Sequence, residues 1–129
     1  MTLVLDASAV AELLLRTPRG SAVVAALGDH ALIAPQHLTA EFSSVIRGWS
    51  LGGHITEAEA LQTFRDFEEL GVEQLDMVAL LPQVHALRHN LTAYDAMYVV
   101  LARTVGCSLL TLDQRLIAAA PDCTLPPPK

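Results

Sequence analysis

The sequence predicts an α/β fold: one domain on a mostly parallel sheet of four to five strands, with helices on both faces. Three observations predict it. Short apolar runs alternate with helix-length segments in the order strand, helices, strand, helices, strand, helices, strand, as parallel crossovers require. The 129 residues suffice for one domain with a sizeable core. Apolar residues make up 52% of the chain and charged residues 17%, which excludes a mainly disordered polypeptide.

Thr2-Leu3-Val4-Leu5 and the following Asp6 read as the first strand, residues 2–6. A helix follows over Ala7–Leu15, with Asp6 or Ser8 as its N-cap. Pro18 suits the start of a second helix that closes near Gly28. Residues 31–34 form a short buried strand, and Pro35 opens a long helix to about Leu51, stopped by Gly52-Gly53. Thr56-Glu57-Ala58-Glu59 has the spacing of a capping box, and its helix ends at Gly71. Residues 72–75 make a third strand, and 77–89 a helix with Pro82 early in it. Thr92 starts a helix that runs to Gly106. The apolar run 108–112 is a strand, 114–120 a short helix, and 123–125 a final edge strand. Residues 1–125 are the domain. Pro126-Pro127-Pro128-Lys129 is a tail that cannot continue a sheet.

The formal charge is −6, and Lys129 is the only lysine, so a broad basic surface for a polyanion is excluded. A nuclease is not, because a bound cation reverses the local sign at an acidic site. No apolar run is long enough to cross a bilayer, and the N-terminus lacks a basic, apolar leader, so a cytoplasmic location is expected. Cys107 and Cys123 make neither a disulfide framework nor a zinc knuckle.

Four acids carry the chemistry. Asp6 and Asp113 each end an apolar strand, at the edge where open parallel sheets bind ligands. Each could also simply cap the helix that follows. Glu41 borders an apolar stripe of Leu38, Phe42, Val45 and Trp49, where a surface-facing glutamate is not expected. Asp95 sits in the first turn of a helix whose next residues, 97–102, are uncharged all round. Thr92-Ala93-Tyr94-Asp95 also has capping-box spacing. Buried carboxylates brought together are costly unless protonated or bound to a cation. Hard divalent ions take oxygen ligands, lower the pKa of a bound water and stabilise a departing oxygen, chemistry suited to a phosphodiester. Arg115, two residues past Asp113, is the arginine best placed by sequence to meet a phosphate. The five histidines look incidental. His85 and His89, four apart, could share zinc only with a third ligand that does not stand out. Trp49 marks the helix 35–51 as a candidate contact surface, with core packing as the competing reading.

Two other classes fail on named residues. A phosphate-binding loop needs a Gly-Lys-Ser/Thr step, and the chain has no internal lysine. A phosphate-accepting receiver module uses an acidic pair after its first strand and a lysine after its last. Here Asp6 stands alone and the lysine is missing.

The motifs Val4-Leu5-Asp6-Ala7-Ser8-Ala9, Ala34-Pro35 with Thr39-Ala40-Glu41, residues 91–102 around Asp95, and Leu110-Thr111-Leu112-Asp113-Gln114-Arg115-Leu116 occur in this order across most of the chain. In that order the chain resembles a PIN domain, in particular the VapC-type toxin ribonucleases of prokaryotic toxin–antitoxin pairs. The resemblance implies a PIN-like domain whose Asp6, Glu41, Asp95 and Asp113 bind Mg²⁺ or Mn²⁺ and cut RNA with metal-activated water. It implies supporting roles for the small hydroxyl residues Ser8 and Thr111. It also implies a homodimer silenced by a small cognate antitoxin. The alternative is a non-catalytic PIN-like module that binds RNA or a partner.

Overall fold

The computed structural model describes residues 1–125; the Pro-rich tail, 126–129, lies outside them. Five parallel strands form one sheet: β1 (Thr2–Leu5), β2 (Ala31–Pro35), β3 (Glu73–Leu75), β4 (Ser108–Leu110) and β5 (Thr124–Leu125), in the order β3-β2-β1-β4-β5. The helices are α1 (Ala7–Leu14), α2 (Pro18–Leu27), α3 (Leu38–Leu51), α4 (Glu57–Leu70), α5 (Leu81–Ala86), α6 (Ala93–Val105) and α7 (Gln114–Ala119). Helix α1 packs on α2, α3 and α4, while α6 packs on β1, β2 and β4 and carries α5 against it. Right-handed crossovers put these two groups on opposite faces of the sheet.

The central strand is the most apolar. Leu3, Val4 and Leu5 are buried, as are Leu109 and Leu110 beside them. Helix α6 is the most deeply seated, with Tyr98, Val99, Val100, Leu101 and Ala102 all buried. The α3–α4 contact is aromatic: Phe42 stacks on Phe67 with centroids 4.4 Å apart and meets Phe64 edge-on at 6.1 Å.

Local chemistry sets the helix boundaries. Asp6 caps α1, Thr17 caps α2 with Pro18 at its first position, and Thr56 with Glu59 forms a full capping box on α4. Gly71 and Gly106 end α4 and α6 in the left-handed region, at φ 68° and 78°.

Four details differ from the sequence reading. Pro35 does not open the long helix; it is the last residue of β2, in register with Leu75, and the Gln36 N–H donates to the Leu75 carbonyl at 2.9 Å. The helix therefore begins at Leu38. The predicted helix 77–89 is a 3₁₀ turn over Val78–Leu80 followed by α5 alone. Pro82 has no N–H to give Val78, so Leu81 bonds that carbonyl in the tighter pattern. The strand 108–112 stops at Leu110, the last residue in register with β1 and β5, and Thr111 beyond it donates its hydroxyl to Asp6. On α3 the buried stripe is Leu38, Phe42 and Ile46, which leaves Val45 and Trp49 half-buried beside it.

Helices α1 and α2 approach at Gly20, where a Cβ would stand 2.0 Å from the Glu12 carbonyl oxygen. Gly20→Ala is expected to destabilise the protein by about 3 kcal/mol, lowering the thermal midpoint by roughly 10 °C. A melt followed by circular dichroism checks this. An unchanged midpoint would show that the pair can part freely.

Candidate active site at the sheet's switch point

Strand order reverses between β1 and β4, so the chain leaves these neighbours in opposite directions and opens a crevice at their C-terminal ends. Leu5 is in register with Leu110, which sets Asp6 beside Thr111. Asp6 is 4% exposed. Its Oδ1 accepts from the Ala9 N–H at 2.9 Å and from the Ser8 hydroxyl at 2.8 Å. Its Oδ2 accepts from the Thr111 hydroxyl, whose oxygen in turn accepts from the Asp113 N–H at 3.0 Å. Burial raises the Asp6 pKa to about 6 despite these three hydrogen bonds, and the Asp113 charge adds to the rise.

Glu41 stands in the first turn of α3. Its Oε1 accepts from the Tyr98 hydroxyl at 2.7 Å and lies 3.2 Å from His37 Nε2. His37 Nε2 also lies 3.1 Å from the Tyr94 carbonyl. Both neighbours are acceptors, so this nitrogen carries the hydrogen. Burial pushes Glu41 up, but the bonds from His37 and Tyr98 outweigh it and hold the carboxyl below its ordinary range. Burial and then Glu41 drive the Tyr98 phenol strongly upward, so it remains a donor.

Asp95 lies half-buried in the first turn of α6, where Thr92 caps the helix by accepting its N–H at 3.2 Å. Burial raises the Asp95 pKa, with the charges of Asp113 and Glu41 adding to it. Asp113 caps α7 by accepting the Arg115 N–H at 2.9 Å. Its Oδ2 lies 3.2 Å from the Arg115 guanidinium. Burial again pushes upward, but Arg115 outweighs it and holds Asp113 below its ordinary range. Arg115 itself is exposed and occupied by this pair.

Asp113 stands close enough to Asp6 and to Asp95, and Glu41 close enough to Asp95, for their charges to act on one another. They offer only hard oxygen donors, and the two without a strong partner, Asp6 and Asp95, are pushed toward protonation. That donor set, and repulsion that Arg115 and the hydrogen bonds only partly offset, fit a hard divalent cation. Among the described residues, no three His, Cys, Asp or Glu side chains converge as a ready-made chelate. Asp6, Glu41 and Asp113 each have at least one oxygen engaged by protein donors. A cavity of about 780 Å³ opens at the other end of the sheet between Met1, Arg103 and Cys107 and holds none of the four acids.

Sequence reasoning passed over His37 and Tyr98. The signal for His37 was its placement four residues before Glu41; Tyr98 shows only when α3 meets α6. The His85–His89 pair does not share a helix, because α5 ends at Ala86.

The rise of Asp6 from 3.8 to about 6 withholds roughly 3 kcal/mol of stability at neutral pH. The folded state holds the proton more tightly than the unfolded chain. The Asp6 contribution is therefore present below about pH 4 and is lost as pH rises through 6. In chelator, Asp6→Asn is expected to stabilise the protein by about 2 kcal/mol at pH 7.5, a gain that halves by about pH 5. Denaturant titrations of both proteins across pH measure it. A gain that grows on acidification would contradict the assignment.

The PIN domain family matches residues 3–121. Ribonuclease VapC3 of Mycobacterium tuberculosis is 39% identical over 119 residues, covering 92% of this chain and 87% of its own length. Ribonuclease VapC12 of the same species is 36% identical over 88% of each chain. Ribonuclease VapC3 of Pyrobaculum aerophilum is 32% identical over 98% of this chain and all of its own. The crystal structure of PAE2754 from Pyrobaculum aerophilum superposes with a TM-score of 0.72 at 20% identity, over 98% of this chain and 90% of that one, which shows a shared fold. Motif order, sheet order and these relatives agree: the chain belongs to the PIN domain family and groups within it with the VapC ribonucleases.

Proposed function

We propose that the chain is a Mg²⁺- or Mn²⁺-dependent endoribonuclease, the toxin of a toxin–antitoxin pair, that hydrolyses RNA phosphodiesters. The observation that carries this reading is Asp6, a buried carboxylate with no cationic partner among the described residues and with Asp113 beside it, at the switch point of a parallel sheet. Kinship with VapC ribonucleases supports RNA as the substrate.

Asp6, Asp95 and Asp113 would hold the cation. When bound, it supplies Lewis-acid chemistry: an acidified water and neutralised charge on the departing oxygen. Ser8 and Thr111 keep Asp6 in one rotamer. Glu41 has one oxygen tied by Tyr98 and His37, which leaves Oε2 to orient the attacking water. Arg115, at the rim and already paired with Asp113, would reach a substrate phosphate only as an auxiliary contact.

A groove lined by Glu12, Val45, Trp49 and Asp113 adjoins the crevice. Arg19 also lines it and pairs with Glu12, so its apolar wall of Val45, Trp49 and Leu112 is what would suit a small antitoxin segment. No helix among the described residues is long and apolar enough to cross a membrane. The reading places the protein in the cytoplasm as a homodimer.

Purified free of any partner, the protein is expected to cut total RNA with Mg²⁺ or Mn²⁺ and to stop in chelator, with Asp95→Asn slower by about 100-fold or more. Cleavage that survives chelation, or equal cleavage by the variant, would sink the metal site. RNA binding without cleavage would favour the non-catalytic module. Growth arrest on expression, relieved by a neighbouring small open reading frame, tests the toxin role. Tyr98→Phe, which keeps the ring and removes the bond to Glu41, is expected to lower kcat about tenfold with little change in KM. A fall in the thermal midpoint with kcat intact would make Tyr98 a packing residue only.

A further inference from the structure

We propose that Tyr94 is a stacking platform for one unpaired RNA base at the mouth of the acidic crevice. The inference rests on the ribonuclease reading for the identity of its ligand. Tyr94 immediately precedes Asp95 in the first turn of α6, yet its side chain is 60% exposed. Exposure here does not mean looseness. Its ring stacks on His37, with centroids 5.4 Å apart and planes 28° from parallel, and its carbonyl accepts from His37 Nε2–H at 3.1 Å. His37 lies in turn 4.9 Å from the buried ring of Tyr98. Three rings therefore run from the core to the surface, and the last one offers its remaining area to solvent.

A cavity of about 550 Å³ lies beside this ring, lined by His37, Ala40, Glu41, Ser44, Val45 and Tyr94. That volume is within the range of small-molecule sites, and one wall is a candidate catalytic carboxylate. A base on Tyr94 would sit one residue from Asp95 and across the cavity from Glu41, so its own phosphates would lie at the crevice.

Charge favours a stacking contact over a phosphate clamp. The chain carries a formal charge of −6, and Arg115, the arginine beside the acids, is already paired. RNA affinity must then draw on contacts that ignore sign. Aromatic stacking is such a contact, and it favours single strands because duplex bases keep their faces covered. The site therefore takes a loop or single-stranded base.

The test is equilibrium binding by fluorescence anisotropy, with Ca²⁺ in place of Mg²⁺. The probes are labelled ten-nucleotide single-stranded RNAs carrying one abasic site at each position in turn. Wild type is expected to lose about 10- to 100-fold in affinity when the stacked base is removed. Tyr94→Ala should bind intact RNA weaker by a similar factor and ignore that abasic site, while Tyr94→Phe stays within about twofold of wild type. Thermal melts confirm that both variants fold. Wild-type affinity in Tyr94→Ala, an abasic penalty equal in both proteins, or no single-strand binding by wild type would overturn the proposal. Tyr94-dependent binding without metal-dependent cleavage keeps the platform and removes the ribonuclease reading. Metal-dependent cleavage with Tyr94-independent affinity does the reverse.

Discussion

A carboxylate sealed into the end of a parallel sheet constrains most of what surrounds it. Asp6 has almost no contact with solvent, and among the described residues no arginine pairs with it. Three donors hold it: a backbone N–H of α1, a hydroxyl on that helix, and a hydroxyl at the exit of β4. One side chain thus ties the end of the central strand to the start of the first helix and to the neighbouring strand. These bonds soften the cost of burial without removing it, as the raised pKa records. Thr111 passes the constraint on, because its oxygen also receives the Asp113 N–H and so sets where the second acid starts α7.

The other acids are handled in two different ways. Glu41 and Asp113 have strong partners, a phenol with an imidazole in one case and a guanidinium in the other, and stay ionised. Asp95 resembles Asp6 in being pushed upward by burial and by its neighbours. The site therefore sets two acids whose partners outweigh burial against two in which burial wins. Such divergence among adjacent carboxyls is how a fold separates their roles.

Much of this was legible in the chain because it depends on local chemistry. Residues that cap helices announced where α1, α4, α6 and α7 begin, and apolar runs of strand length announced β1, β2 and β4. The acids stood out because each interrupts such a run or borders an apolar helix face. What stayed hidden depends on packing across elements. Val45 and Ile46 are adjacent, and only the seat of α3 against α1 and α4 decides that Ile46 is the buried one. Pro35 reads as a helix opener until pairing with Leu75 makes it a strand end. Tyr98 looks like another apolar residue of α6, and its hydroxyl finds Glu41 57 residues away in the chain.

The bond between Thr111 and Asp6 joins residues 105 positions apart. Strand β1 is made first and ends at the centre of the sheet, flanked by a strand made almost last. Closing so long a loop is slow, and the partner must exist before closure can begin. During synthesis the growing chain therefore lacks the crevice until β4 and the start of α7 have been made. The order of the strands thus acts as a delay: a nascent fragment that ends before β4 lacks half of the pairing that seats Asp6.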